Sequence, residues 1–172
     1  MDAQVFNNIF ARGRPEAFFT SSGGNTEPDQ RSAIALAVLG KVFPAVDIWV
    51  LKDRDMASGR DTNENDRQIY LRTNGQNHRV LKRWEIENYL YDKEVLKAFC
   101  AANQKQFNEE AYDAFVQDIA NQNLKDDTNR IRSICGIVGS ITADAFKIEL
   151  SKHMTPEMAV YRELEACIFD RA

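Results

Sequence analysis

The chain holds only two histidines, His78 and His153, and three widely spaced cysteines, Cys100, Cys135 and Cys167. None falls in a Cys-x-x-Cys or His-Glu-x-x-His arrangement, which argues against zinc chemistry. An odd thiol set with no paired spacing also argues against a disulfide framework and predicts buried thiols in a reducing cytosol. Positive charge is short: 22 Lys and Arg face 26 Asp and Glu, for a net charge of −4. No basic field holds nucleic acid nonspecifically, so a nucleic-acid substrate requires metal ions or a partner surface to offset phosphate repulsion. No apolar run reaches the roughly 20 residues that cross a bilayer, and no basic-then-apolar leader opens the chain; both predict a soluble, cytoplasmic protein without membrane contact. A Gly-x-x-x-x-Gly-Lys loop is missing too, so the chain carries no ATPase cradle of its own.

What is present is enough apolar sequence, 44% of 172 residues, to bury one sizeable core. Met1 to Phe10 sets Val5, Phe6, Ile9 and Phe10 on one helical stripe. Glu16 to Thr20 reads as a short strand running into a turn at Gly23-Gly24. Thr26 offers an N-cap and Pro28 a first turn for an apolar helix, Ala33 to Phe43, that Pro44 ends. Val46 to Lys52 reads as a buried strand, and Met56 to Arg67 as a polar loop. Gln68 to Leu71 and Arg79 to Leu81 predict two more strands about Asn74-Gly75. From Trp84 onward the pattern is helical. Asp92 caps a helix to Ala102, and further stripes cover Glu109 to Asn121, Asp126 to Ile137 and Ala143 to His153, with a last helix from Thr155-Pro156-Glu157 to Phe169. The expectation is an α/β domain over residues 1–90, with a partly parallel sheet flanked by helices, followed by an all-helical lobe over 91–172.

The segment Ile48 to Asp55, Ile-Trp-Val-Leu-Lys-Asp-Arg-Asp, ends an apolar strand in two carboxylates. Side chains at i and i+2 leave the same face of a strand, so Asp53 and Asp55 point at one hard cation while Arg54 points elsewhere. The carboxyl end of a buried strand is where open α/β sheets place ligands. Such a site recruits further acids, and Asp2, Asp47, Glu85 and Glu87 are the candidates. In Lys82-Arg83-Trp84-Glu85-Ile86-Glu87-Asn88-Tyr89-Leu90, a helix separates Glu85 from Glu87 by about 200°, whereas extended backbone puts both on one face. The plain alternative is an amphipathic helix start, with acids at the positive end of the dipole and Trp84, Ile86, Tyr89 and Leu90 packing inward. Lys147 and Lys152 fit a solvated helix face, or a cation that neutralises a phosphate.

The order glycine turn, helix, apolar strand, Asp-Arg-Asp and then Arg-Trp-Glu-Ile-Glu-Asn-Tyr-Leu-Tyr-Asp-Lys-Glu-Val-Leu resembles the Toprim-like carboxyl-terminal region of overcoming-lysogenization-defect (OLD) nucleases and related bacterial ATP-binding proteins. The closing Tyr-Arg-Glu-Leu-Glu-Ala-Cys-Ile-Phe block is similar to the end of such proteins. The resemblance implies a magnesium- or manganese-dependent nuclease that hydrolyses nucleic-acid phosphodiesters, DNA foremost, beside an amino-terminal ATPase module. By it, Asp53, Asp55 and Glu87 are metal ligands and catalytic residues, Asp2 matches the acid that follows the family's first glutamate, and Lys147 is similar to the family lysine that assists phosphate chemistry.

The chain starts at the position of that post-glutamate acid, with no counterpart of the family's first strand, its glutamate or the ATPase module. The expectation is therefore a fragment of a larger ATPase-nuclease, weak or inactive alone, whose open sheet edge favours a homodimer. A noncatalytic interaction module of an ATPase-associated protein is the alternative, since fold does not fix function. A haloacid-dehalogenase-type phosphatase ranks below both, because Ala57 stands where that family carries Thr or Val.

Overall fold

The computed structural model describes residues 2–21, 28–54, 64–139 and 141–170. Within them the chain is mixed α/β and mostly helical, with a parallel sheet of two strands.

Helix α1, Asp2–Phe10, forms as its periodicity predicts: Val5, Phe6, Ile9 and Phe10 are all buried, and Asp2 sits in the first turn where the dipole favours an acid. Each buried apolar side chain contributes about 1.5–3 kcal/mol. The strand expected at Glu16 to Thr20 is not in a sheet. Its segment is held instead by a side chain that imitates a neighbouring strand: Asn7 Nδ2 donates to the Phe19 carbonyl at 2.9 Å, and the Phe19 amide donates to Asn7 Oδ1 at 2.8 Å. Phe19 stacks on Phe6 and Phe10, with ring centroids 5.2 and 5.5 Å away. The turn expected at Gly23-Gly24 and the Thr26 cap lie outside the described residues.

Helix α2, Pro28–Val42, precedes strand β1, Val50–Lys52. The strand expected from Val46 begins only at Val50, because Val46 closes a turn on Phe43 and remains exposed. Strand β2, His78–Val80, pairs with β1 in parallel, Val50 against His78 and Lys52 against Val80. Parallel strands need a crossover, and helix α3, Glu64–Thr73, lies in it. This corrects the strand expected at Gln68 to Leu71 and the end of the expected loop, since Glu64 to Arg67 are helical. Arg67 and Leu71, four residues apart, are both buried, and Arg67 Nε donates to the Val80 carbonyl at 3.2 Å. Residues 56–63, the rest of that loop, lie outside the described residues.

After β2 come short helices: α4, Ile86–Leu90; α5, Lys93–Ala102; α6, Glu109–Phe115; α7, Thr128–Ile134; α8, Ala143–Ser151; and α9, Ala159–Glu165, which runs into a π-helical turn, Ala166–Asp170. Asp92 caps α5 as expected, accepting from the Glu94 amide at 3.0 Å. Asn108 and Thr142 cap α6 and α8 in the same way. Helices expected to reach Asn121 and Ile137 stop early, at Phe115 and Ile134.

One hydrophobic cluster joins Val5 and Phe10 of α1, Leu81, Tyr89 of α4, Leu96 of α5, Phe146 of α8 and Leu164 of α9. It draws on both sides of the expected 90/91 boundary. Helix α1 packs on α8, α4 packs on α8 and α9, and β2 packs on the π-helical turn. Helix α8 thereby brings Lys147 to Asp2 of α1 and Glu87 of α4.

Candidate functional site

Strand β1 delivers Lys52, Asp53 and Arg54 in succession. Lys52 is buried, its ammonium 4.9 Å from the centre of the Tyr70 ring. Asp53 is half-buried. Arg54 turns inward: its amide donates to the Trp84 carbonyl at 3.1 Å, and its guanidinium donates to the carbonyls of Lys82 at 2.8 Å and Ala120 at 3.1 Å and to the Asn121 side chain. The strand end is thus tied to the Lys82–Leu90 segment that carries the glutamates. Asp55, the other half of the expected Asp-x-Asp pair, lies outside the described residues.

Both glutamates of that segment are buried, and each meets a different lysine. Glu85 is the N-cap of α4, in extended backbone with φ −140° and ψ 174°, and accepts from Lys125 Nζ at 3.1 Å. Glu87, in the first turn, accepts from Lys147 Nζ at 2.7 Å. Lys147 reaches from α8 and also lies 3.8 Å from Asp2 of α1. Its side chain is 6% exposed and that of Glu87 3%, so the pair has left water. The local backbone combines the two sequence readings: an extended cap followed by a helical turn, with Ile86, Tyr89 and Leu90 buried as the plain reading expects.

Hydrogen bonds and ion pairs tie the segment around Glu85 to its neighbours. Its amide donates to Asn88 Oδ1 at 3.2 Å, and Tyr89 Oη accepts from the amides of Lys82 and Arg83 at 3.0 Å each. Arg83 in turn binds Asp92 at 2.8 Å and Glu163 at 2.9 Å, fixing α4 to α5 and α9. Burial works against the Lys125 ammonium, but its hydrogen bond to Glu85 and the fields of Glu85, Glu87 and Asp53 outweigh that and raise its pKa above the ordinary lysine value. Asp53, Glu85 and Glu87 therefore act on one cation.

Of the acids singled out from sequence, Glu87 and Asp2 meet at Lys147, and Asp53 and Glu85 share the field at Lys125. Asp47 is exposed ahead of β1, and Lys152 pairs with Glu149 on the surface of α8. Lys125 is not among the residues that the sequence pattern singles out, and Arg54 enters there only as a residue pointing away from Asp53. Local periodicity has no signal for a lysine whose partner is 40 residues away. Among the described residues, no three Asp, Glu, His or Cys side chains gather closely enough to hold a metal ion, and no helix is long and apolar enough to cross a membrane.

The class these observations define is a mixed α/β chain with a carboxylate–lysine cluster at the carboxyl end of two parallel strands. Comparison of the chain with family models, curated proteins and solved structures finds no match in any of the three.

Proposed function

We propose that the chain is a Toprim-like, divalent-metal-dependent nuclease domain acting on nucleic-acid phosphodiesters, DNA foremost, within a larger cytoplasmic protein that carries an ATPase module. The observation that carries this reading is the buried Lys147–Glu87 pair with Asp2 beside it, on the segment that Arg54 ties to the end of β1. Burying charges costs several kcal/mol per ion, which favours a reason for keeping them.

The donor chemistry fits magnesium or manganese, since every candidate offers carboxylate oxygen. The described acids alone fall short of a full ligand set. Asp53, Asp55, Glu87 and Asp2 are the residues that would hold the metal. Bound there, it supplies water activation and charge neutralisation on the phosphoryl oxygens. The chain's own residues supply order. Lys147 holds the Glu87 carboxylate in one orientation, and Arg54 fixes the backbone that presents Asp53. Lys147 acts in this scheme as a positioning residue with an electrostatic contribution.

Manganese-dependent nicking of supercoiled DNA tests the proposal. Weak nicking that disappears in Asp53→Ala supports it; nicking unaffected by Asp53→Ala, or no nicking together with no rise in melting temperature on adding manganese, overturns it.

Two observations favour a second reading, a noncatalytic interaction module. Glu85 and Glu87 already have lysine partners, and α2 with the turn after it exposes Ile34, Val38, Val42 and Phe43. Exposed apolar groups of this kind mark contact surfaces. In that reading neither magnesium nor manganese changes the melting temperature.

A further inference from the structure

We infer that Lys125, and not the buried Lys147, is the side chain that meets the substrate phosphate at this site; the inference rests on the nucleic-acid reading above and names the residue that touches the strand. Lys147 is committed. It is 6% exposed, with Glu87 at 2.7 Å and Asp2 at 3.8 Å. Removing its ammonium to serve a ligand would strand a carboxylate that is 3% exposed.

Lys125 has the opposite character. Its side chain is 58% exposed and has one hydrogen-bonded ion-pair partner, the inward-facing Glu85 at 3.1 Å. An ammonium carries three N–H donors and Glu85 takes one, so the exposed side of Lys125 meets a phosphate oxygen while the buried carboxylate keeps its partner.

The backbone that carries Lys125 is fixed to the site. The Trp84 amide donates to the Ala120 carbonyl at 2.8 Å, and Asn88 Nδ2 donates to the carbonyls of Ile119 at 2.9 Å and Gln122 at 2.8 Å. Arg54 adds its own bond to Ala120. On the far side, Thr128 Oγ1 donates to the Lys125 carbonyl at 2.9 Å and lies 2.8 Å from Tyr91 Oη. The two segments that present Asp53 and the glutamates, the end of β1 and Lys82–Leu90, therefore also set where Lys125 stands. In a chain of net charge −4, one correctly placed cation weighs heavily in bringing a polyanion to a carboxylate cluster.

The test is fluorescence anisotropy of the full chain with short DNA and RNA duplexes as separate arms, in calcium buffer, across a salt series. Lys125→Met/Glu85→Gln is the informative variant: it keeps the net charge and leaves no orphaned buried carboxylate. It should bind about fivefold to tenfold more weakly near 0.1 M salt, with the log–log salt slope smaller by about one. Lys125→Arg should keep both affinity and slope. Wild-type affinity and slope in the double variant would overturn the inference and leave the nuclease reading standing. Binding that depends on Lys125 with neither manganese-dependent nicking nor a manganese-dependent rise in melting temperature would support the lysine contact and overturn the nuclease reading alone. No duplex binding by the wild-type chain would overturn both.

Discussion

Lys147 and Glu87 stand 60 residues apart in sequence and meet at 2.7 Å with both side chains buried. Their desolvation makes each depend on the other. Lys147→Met or Glu87→Gln alone should lower unfolding free energy by about 3–5 kcal/mol, because one charged or polar partner is left behind. Lys147→Met with Glu87→Met should recover part of that loss. Urea denaturation of the two single variants and their combination measures the coupling; additive losses would show that the pair does not act as a unit.

Arg54 ties β1 to the loop over Glu85. Lysine cannot reproduce its fork to Lys82, Ala120 and Asn121. Arg54→Lys should cost about 3 kcal/mol, and hydrogen exchange should accelerate at the amide of Trp84, which is bonded to Ala120. Unchanged protection there would separate Arg54 from the loop.

Asn7 does for Phe19 what a neighbouring strand would do. Asn7→Ala removes both bonds to the Phe19 backbone. A loss of about 1–3 kcal/mol is expected for each polar group left buried and unpaired. The readout is the urea midpoint, together with proteolytic cleavage after Phe18, which is 83% exposed.

His153 gives the fold an acid-side weakness. Burial lowers its pKa; Glu149 pulls the other way and Lys152 adds to the lowering. The folded form therefore binds its proton less readily than the unfolded chain. Stability from this group is full above the unfolded histidine value of about 6.5 and is lost as pH falls below it toward the folded pKa. His153→Phe, which keeps a ring against Phe99, should flatten the stability curve in that window. A slope unchanged by the substitution would assign the effect elsewhere.

Features that depend on near neighbours were legible in the sequence. The α1 stripe follows from 3.6-residue spacing, and the Asp92 cap needs only the Glu94 amide two positions on. The β1 and β2 strands were visible as short apolar runs, although Val46 to Trp49 stayed outside the sheet. Gln68 to Leu71 misled because Ile69, Tyr70 and Leu71 favour strands over a window shorter than one helical repeat, while the deciding contact, Arg67 on Val80, is tertiary. The helix expected to Asn121 ends at Phe115 because the carbonyls of Ile119, Ala120 and Gln122 bind Asn88, Trp84 and Arg54 instead of helical amides. At the site, carboxylates next to a strand end could be singled out by type and spacing. Which lysine each would meet could not, because those partners arrive through the packing of α8 and the loop before α7.

The most direct measurement of the central claim, a carboxylate site for a divalent ion beside Asp53, is thermal unfolding against manganese and magnesium for wild type and Asp53→Asn. At about one hundred times the dissociation constant, a bound ion should add about 2.7 kcal/mol and raise the melting temperature by about 5–10 °C. The account predicts that rise in wild type and its loss in Asp53→Asn. A wild-type curve that neither ion moves, or an equal rise in both proteins, would contradict it.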